Sequence, residues 1–220
     1  MLSRLTINST QTCNLGCKYC YALGGEYGGS AIRIKPEVAV NKLREAAREH
    51  GVIKLVQFIG GEPLLNLPAL AAVADEVGVL VQERILSNRP SLSAVTNLTV
   101  LSRDHIALFT KHGFSLLVSI DGPEEIHDEL RPVKGGRGSH SRVMSNIQVL
   151  RHEKIPFDIE CTYTYRHLES GISITDLLRY FNTIGASLID IVPVSTAPHD
   201  KLGFNQHGDW RTVVDMEMTL

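Results

Sequence analysis

Short apolar stretches alternate with amphipathic ones along most of the chain. This pattern predicts six strands separated by helices. The predicted strands are 4–9, 54–59, 92–97, 114–120, 157–164 and 188–192. The predicted helices are 36–50, 67–83, 102–112, 139–152 and 174–184, with a glycine directly after three of them, at Gly51, Gly113 and Gly185. Ser139 is predicted to cap its helix, and the polar stretch before it, 121–138, is predicted to be a loop.

Alternating strands and helices with short connections predict a parallel α/β sheet, and functional residues at the strand ends favour a barrel-like curl. Along the predicted strands every second position is polar, and these side chains should share the inner face of the curl. They are Thr6, Asn8, Gln57, Ser115, Ser119, Asp121, Asp158, Glu160, Thr162, Thr164 and Asp190, and the apolar Leu117 falls in the same alternating set. Because branched apolar side chains normally fill a barrel, a polar interior indicates a polar ligand. Partial solvation at an open barrel edge is the alternative for Glu160 and Asp190.

Length and charge narrow the classes of protein that this chain can be. Its 220 residues suit one domain, and 22 basic against 24 acidic residues leave a net charge of −2. This balance predicts neither nucleic acid nor an anionic membrane as a partner. We also expect no membrane-spanning run and no signal peptide, and therefore a cytoplasmic location, where thiols stay reduced.

Three of the four cysteines lie within one predicted loop after the first strand. Cys13, Cys17 and Cys20 have the spacing C-x3-C-x2-C. Three thiolates are one short of closing a tetrahedral zinc site or a four-iron cluster, so one coordination position would stay open. A structural zinc, a disulfide with a spare thiol and chance clustering are the alternatives. The fourth cysteine, Cys161, falls on the helix-facing side of its strand and is predicted to be a buried structural thiol.

The chain resembles the radical S-adenosylmethionine (SAM) enzymes, and the resemblance extends over nearly its whole length. The cysteine loop matches the CxxxCxΦC motif, with Tyr19 as the aromatic residue. Gly60-Gly61-Glu62-Pro63 is similar to the GGEP motif. The segment SIDG at 119–122, followed by His127, Asp128 and Arg131, is similar to one found in the sulfatase-maturase and peptide-maturase branch.

The resemblance implies a partial (β/α)6 TIM-like barrel with the radical SAM core domain in residues 1–194. Residues 195–220 would be a C-terminal tail, the start of a missing or truncated C-terminal region. It implies a [4Fe-4S] cluster on Cys13, Cys17 and Cys20, with SAM on the open iron. Electron transfer from the cluster would then cleave SAM, and the resulting radical would take a hydrogen atom from the substrate.

The expected contacts to SAM follow from the chemistry of each of its groups. They are Gly60, Gly61 and Glu62 for the ammonium group, Arg131 for the carboxylate, Ser119 and Asn97 for the ribose, and Tyr19 and Val192 for the adenine. A surface ion pair with Glu124 or Asp128 is the alternative for Arg131. His127 is expected to shape its loop, and no catalytic acid or base is predicted.

The resemblance also indicates the partners. We expect a peptide or protein substrate, with a Cys thioether cross-link as the product and an electron donor such as flavodoxin or ferredoxin. Formylglycine formation in a sulfatase and modification of a small molecule are the competing activities. A non-catalytic zinc-binding module that recognises a peptide, and an inactive homologue acting as a scaffold, are the rivals from other classes. The open side of the barrel is expected to bind a partner domain or a second copy of the chain.

Overall fold

Six parallel strands form one sheet whose order in space is the order in the sequence. The structure is a computed structural model that describes residues 1–195 and 200–204. The strands are β1 (Leu2–Thr10), β2 (Ile53–Gly60), β3 (Ser91–Thr96), β4 (Phe114–Ser119), β5 (Phe157–Tyr163) and β6 (Ile189–Pro193). Each strand pairs only with its sequence neighbours in the described part of the chain, so the sheet remains open between β6 and β1. The predicted partial (β/α)6 architecture is confirmed.

Helices occupy the connections between the strands. They are α1 (Pro36–His50), α2 (Leu67–Gln82), α3 (Arg103–His112), α4 (Glu124–Leu130), α5 (His140–His152), α6 (Tyr165–Glu169) and α7 (Ile174–Ile184). Short 3-10 turns at Leu23–Gly25 and Pro63–Asn66 precede α1 and α2. As predicted, α1, α3 and α7 end at glycines in the left-handed region, at Gly51, Gly113 and Gly185.

The two faces of the sheet differ in polarity, as the alternation predicts. Leu116, Val118 and Ile159 face the helices and are fully buried in the main apolar core. On the opposite face, Gln57 of β2, Ser93 of β3 and Ser115 of β4 are register neighbours. The helix-facing side therefore supplies the hydrophobic stability, and the inner face is left for polar groups.

The stretch 121–138 differs from the prediction because it contains α4. The prediction that the Ser139 hydroxyl caps α5 is also wrong, since this hydroxyl donates to the carbonyl of Arg131 at 2.6 Å. The carboxylate of Asp128 in α4 accepts from the backbone N–H groups of Ser139 and His140, each at 2.7 Å. A side chain at Gly138 would overlap that carboxylate. The side chain that caps the start of α5 is therefore Asp128 of the preceding helix, α4.

The expectation that no run of this chain is long and apolar enough to span a membrane is wrong for one stretch. Among the described residues, Pro63–Gln82 is long and apolar enough to cross a membrane by length and composition. Leu70, Val73 and Val77 in this stretch have no exposed surface, and α2 packs against α1. Its apolar side chains are therefore used in the core of this fold. Of the predicted tail, residues 196–199 and 205–220 lie outside the described residues.

Candidate active site

A cavity of about 460 Å³ opens at the carboxyl ends of the strands, beside the loop that carries the three cysteines. Ten of the eleven site residues predicted from the sequence contribute to its wall. They are Cys13, Cys17, Tyr19, Cys20, Gly60, Gly61, Asn97, Ser119, Arg131 and Val192. The eleventh, Glu62, lies behind the wall and has no exposed surface. Sequence motifs up to 118 residues apart, from Cys13 to Arg131, thus meet at one place, although ligand contacts by these residues stay predictions.

The three cysteines are free, half-buried thiols facing this cavity. Burial raises the pKa of Cys13, and it raises the pKa of Cys17 to about 11. Backbone N–H groups point at two of the sulfurs, from Leu15 to Cys13 Sγ at 3.4 Å and from Gly24 to Cys20 Sγ at 3.3 Å. Such donors stabilise a thiolate once a metal has displaced its proton.

The cysteine loop is held along its backbone by the segment that follows α4. Gly16 N–H donates to the carbonyl of Pro132 at 2.8 Å, and Lys18 N–H donates to that of Leu130 at 2.9 Å. In return, the carbonyl of Asn14 accepts from the N–H of Lys134 at 3.1 Å. Segment 130–134 therefore acts as a short antiparallel partner for the loop. The sequence pattern gave no signal for this pairing.

A closed ring of side-chain hydrogen bonds ties the same loop to the end of β3. Asn97 Nδ2 donates to Asn14 Oδ1 at 3.1 Å, and Asn14 Nδ2 donates to Thr99 Oγ1 at 2.7 Å. Thr99 Oγ1 completes the ring by donating to Asn97 Oδ1 at 2.6 Å. Because Asn97 Nδ2 also lies 3.6 Å from Cys13 Sγ, the amide expected to contact a ribose is engaged in positioning the loop. Asn14 and Thr99 were missed by the sequence analysis.

Gly60 and Gly61 allow the cysteine loop to pack closely on the end of β2. A side chain at Gly60 would overlap the carbonyl oxygen of Thr10, and one at Gly61 would overlap that of Thr12. Gly60 also has a φ of 150°, which disfavours other residues. The two glycines are thus required by the protein's own backbone, in addition to any close approach by a ligand.

Hydrogen bonds from within the protein occupy both oxygens of the Glu62 carboxylate. Its Oε1 accepts from Leu64 N–H at 3.0 Å and from Thr96 Oγ1 at 2.7 Å, and its Oε2 accepts from Asn97 N–H at 2.7 Å. Burial raises the pKa of Glu62, and these three donors oppose the rise. Glu62 therefore joins the ends of β2 and β3. A contact from its carboxylate to a ligand stays a prediction.

Arg131 lies at the centre of a buried polar group instead of on the surface. Its Nη1 donates to the Tyr19 hydroxyl at 2.6 Å, and that hydroxyl donates to Asp121 Oδ2 at 2.5 Å. Asp121 Oδ1 lies 3.6 Å from Arg131 Nη1. Burial alone would lower the pKa of Arg131, but Tyr19, Cys17 and Asp121 raise it, so the guanidinium is charged. The alternative of a surface pair with Glu124 or Asp128 is wrong, because Arg131 is only 8% exposed.

The guanidinium of Arg131 still has an unused donor. Its Nε is buried and has no hydrogen-bond partner among the described residues. A buried unpaired donor on a cationic group is costly, so this atom indicates an anionic or strongly accepting ligand in the cavity.

The Radical SAM superfamily model matches residues 7–167. The chain belongs to the radical SAM superfamily. Its cofactors are therefore a [4Fe-4S] cluster and SAM. Ligation of that cluster by Cys13, Cys17 and Cys20 stays a prediction.

Relatives of this radical SAM chain include maturation enzymes. It is 25% identical to the cysteine-type anaerobic sulfatase-maturating enzyme of Clostridium novyi over 178 residues, which cover 76% of this chain and 46% of the relative. It is 26% identical to the serine-type enzyme of Bacteroides thetaiotaomicron over 187 residues, covering 83% and 44% of the two chains. The chain thus spans about half the length of these curated relatives.

Solved radical SAM structures share the fold. Native anSMEcpe with bound AdoMet and Cp18Cys peptide superposes with a TM-score of 0.77 at 21% identity, covering 92% of this chain and 55% of that one. At this level of identity, the likeness establishes the fold alone.

The residues present fit the cofactors of a radical SAM enzyme. Three thiols and N–H donors directed at sulfur suit a cluster with one open iron, and the unused Arg131 Nε suits the SAM carboxylate. No three His, Cys, Asp or Glu within residues 1–195 and 200–204 converge on a point that would hold a single metal ion. A four-iron cluster places each thiolate on a different iron, so its ligands stand further apart.

The remaining residues singled out in the sequence have structural positions. His127 Nδ1 accepts from Asp121 N–H at 3.4 Å, and its Nε2 donates to Ser139 Oγ at 3.0 Å, which fixes a neutral tautomer. Burial lowers the pKa of His127 to about 2. Cys161 is fully buried, does not line the cavity and contacts the carbonyl of Asp121. Both geometries agree with what the sequence predicted for these two residues.

Proposed function

We propose that this chain is the SAM-cleaving core of an enzyme that abstracts hydrogen from a peptide or protein substrate. The observation that supports this proposal is the cavity, which is lined by three free thiols and by a charged arginine with one unpaired donor. When bound, the cluster and SAM supply reductive cleavage of SAM and hydrogen abstraction. The protein's own residues bind, orient and shield these groups.

Arg131 binds the SAM carboxylate in this proposal. Asp121 and Tyr19 hold the guanidinium in place from one side and leave Nε for the ligand. A guanidinium presents several donors in a planar fork, so one edge can serve Tyr19 while another binds a carboxylate. Asp121 is thus a positioning residue that the SIDG motif contributes.

The other contacts follow from the lining of the cavity. Backbone carbonyls at Gly60 and Gly61 accept from the SAM ammonium group, with Glu62 fixing that turn from behind. Ser119 donates to the ribose, since its hydroxyl has no partner among the described residues. Val192 and the Tyr19 ring border the adenine, and the Tyr19 hydroxyl is occupied by Asp121 and Arg131.

The substrate class rests on the relatives. Two of them are named as anaerobic sulfatase-maturating enzymes, and a solved structure with the same fold holds AdoMet and a peptide. We therefore propose a peptide or protein substrate, a reductant such as flavodoxin or ferredoxin and a cytoplasmic location. A Cys thioether is the proposed product, and formylglycine formation in a sulfatase is the second candidate because of those relatives.

Anaerobic reconstitution tests the core of the proposal. Protein supplied with iron, sulfide, dithionite and SAM should bind about four irons per chain and release 5′-deoxyadenosine. Arg131→Ala should keep the cluster and weaken SAM binding. Lys134→Ala, a change at an exposed cation beside the same loop, should leave both the cluster and SAM binding unchanged. A colourless protein with one zinc would instead support the peptide-recognition module.

Substrate identity needs a separate measurement. The active protein is incubated with candidate Cys-containing peptides encoded near its gene, and the products are examined by mass spectrometry. Loss of two hydrogens at a segment containing Cys supports the thioether. Conversion of a sulfatase Cys or Ser to formylglycine supports the second candidate, and SAM cleavage with every peptide unchanged rejects a peptide substrate.

A further inference from the structure

A row of three polar side chains crosses the inner face at the cavity. Ser119 of β4 pairs in register with Glu160 of β5, and Glu160 pairs with Asp190 of β6. Residues that pair in register point to the same face of a sheet, so the three side chains lie side by side. None of them has a hydrogen bond or ion pair within the described part of the chain. The cavity lining includes Ser119 and Glu160, while Asp190 is exposed next to it.

Two neighbouring carboxylates without a counter-charge form an unfavourable arrangement. Burial raises the pKa of Glu160, and the adjacent Asp190 raises it further. Within residues 1–195 and 200–204, the cation that lowers the pKa of Glu160 is Arg131, and that guanidinium is already engaged by Tyr19 and Asp121. The pair therefore has an unmet electrostatic requirement that a positive charge would satisfy.

Ser119, whose hydroxyl is assigned above to the SAM ribose, shows that this wall faces a ligand. Its side chain is directed into the cavity, and the residue is only 8% exposed. A polar side chain on a residue this buried normally has a hydrogen-bond partner, so the Ser119 hydroxyl indicates a polar group from outside the chain. Glu160 and Asp190 continue the row from that position towards the open side of the sheet.

We propose that Glu160 and Asp190 form a subsite for a positively charged group of the substrate, a lysine or arginine side chain near the residue to be modified. The inference rests on the proposed function, because it places the substrate beside SAM. A neutral ribose at Glu160 would leave both charges unmatched. Asp190 also belongs to β6, an edge strand of the described sheet, where an extended chain can approach.

Two matched probes test the subsite on the cluster-reconstituted protein, with and without SAM. They are acetyl-Gly-Ala-Lys-Ala-Gly-amide and the same peptide with norleucine in place of lysine, labelled for fluorescence anisotropy at low salt. We expect the lysine peptide to bind about tenfold more tightly, the scale of one charge-assisted contact. Glu160→Gln with Asp190→Asn should abolish this preference. Glu37→Gln with Glu49→Gln, which removes two charges at exposed positions of α1, should retain it.

Each outcome has one meaning. Equal binding of the two peptides by the unmodified protein, or a lysine preference that survives the double substitution, overturns the subsite. A tenfold loss of SAM affinity in the double variant, with the lysine preference intact, assigns the carboxylates to the ribose and also overturns it. If the unmodified protein does not bind SAM, the proposed function fails, and the peptide comparison without SAM still decides the subsite.

Discussion

Removal of the Arg131 charge should have two separable effects, one on folding and one on SAM binding. Asp121 has no exposed surface, and its nearest cation is Arg131, with 3.6 Å between Oδ1 and Nη1. Arg131→Met would leave the Asp121 carboxylate buried, with the Tyr19 hydroxyl and the Thr162 N–H as its remaining donors among the described residues. Breaking a buried pair in this way costs about 3–5 kcal/mol of the free energy of unfolding.

Neutralising the partner should restore most of that stability. Asp121→Asn keeps the size of the side chain and an oxygen for the Thr162 N–H. The double variant Arg131→Met with Asp121→Asn therefore contains no uncompensated charge. Replacing both members of a buried pair by neutral groups is often nearly neutral. We expect the double variant to recover to within about 1–2 kcal/mol of the original protein.

SAM affinity should not recover with the stability. If Arg131 binds the SAM carboxylate, its loss removes a charge-assisted contact of about 2 kcal/mol, or roughly 30-fold in the dissociation constant. Asp121→Asn does not replace that contact, so the single and double variants should bind SAM equally weakly. Urea unfolding followed by circular dichroism gives the stability, and anaerobic calorimetry gives the affinity.

The control is Arg142→Met, which removes an exposed arginine of α5 that has no ion pair among the described residues. It should change neither the free energy of unfolding nor the free energy of SAM binding by more than about 0.5 kcal/mol. A double variant that regains SAM affinity together with stability would refute the reasoning, because Arg131 would then act only through the fold.

Three further predictions use the same proteins. Replacing Cys13, Cys17 or Cys20 by Ala should abolish the visible absorbance of the cluster, whereas Cys161→Ala should preserve it. The opposite result would show that Cys161 is a cluster ligand and that the replaced loop cysteine is not. Gly61→Ala should cost about 2–3 kcal/mol in urea unfolding because its side chain would overlap the Thr12 carbonyl, while Gly78→Ala in α2 has room and should gain about 0.5 kcal/mol. Stability should fall by about 1 kcal/mol or more from pH 7 to pH 5.5, because the folded pKa of His127 is about 2 and the unfolded chain binds a proton below about 6.5. A flat profile would show that His127 is not held neutral.

The periodic parts of the fold could be predicted because each rests on local chemistry. Alternation along β4 and β5 sorted buried from inner-face residues, and Gly51, Gly113 and Gly185 marked the helix ends correctly. The spacing of the cysteines indicated the family to which the chain belongs. In these cases neighbouring residues contain the whole signal.

Contacts between distant segments could not be predicted in this way. The seven residues of α4 are too few for a clear amphipathic period, so its stretch looked like a loop. Asp128 caps a helix that begins twelve residues later, and Asn14 meets Thr99 across 85 positions. For Glu62, the motif indicated a ligand contact, but the three protein donors that occupy its carboxylate come partly from the end of β3.

The short segment after α4 links the two halves of the site. Its backbone at Leu130, Pro132 and Lys134 pairs with the cysteine loop, and its side chain at Arg131 enters the cavity. The Arg131 carbonyl is held in turn by Ser139, which His127 contacts. A shift that disturbed the cysteine loop would therefore move the guanidinium as well. Because coupling free energy is reciprocal, cluster assembly should favour SAM binding to the same degree that SAM favours the assembled loop. The HD..R pattern thus gains a physical reason, because His127 and Asp128 fix the ends of the segment that holds Arg131 beside the cysteine loop.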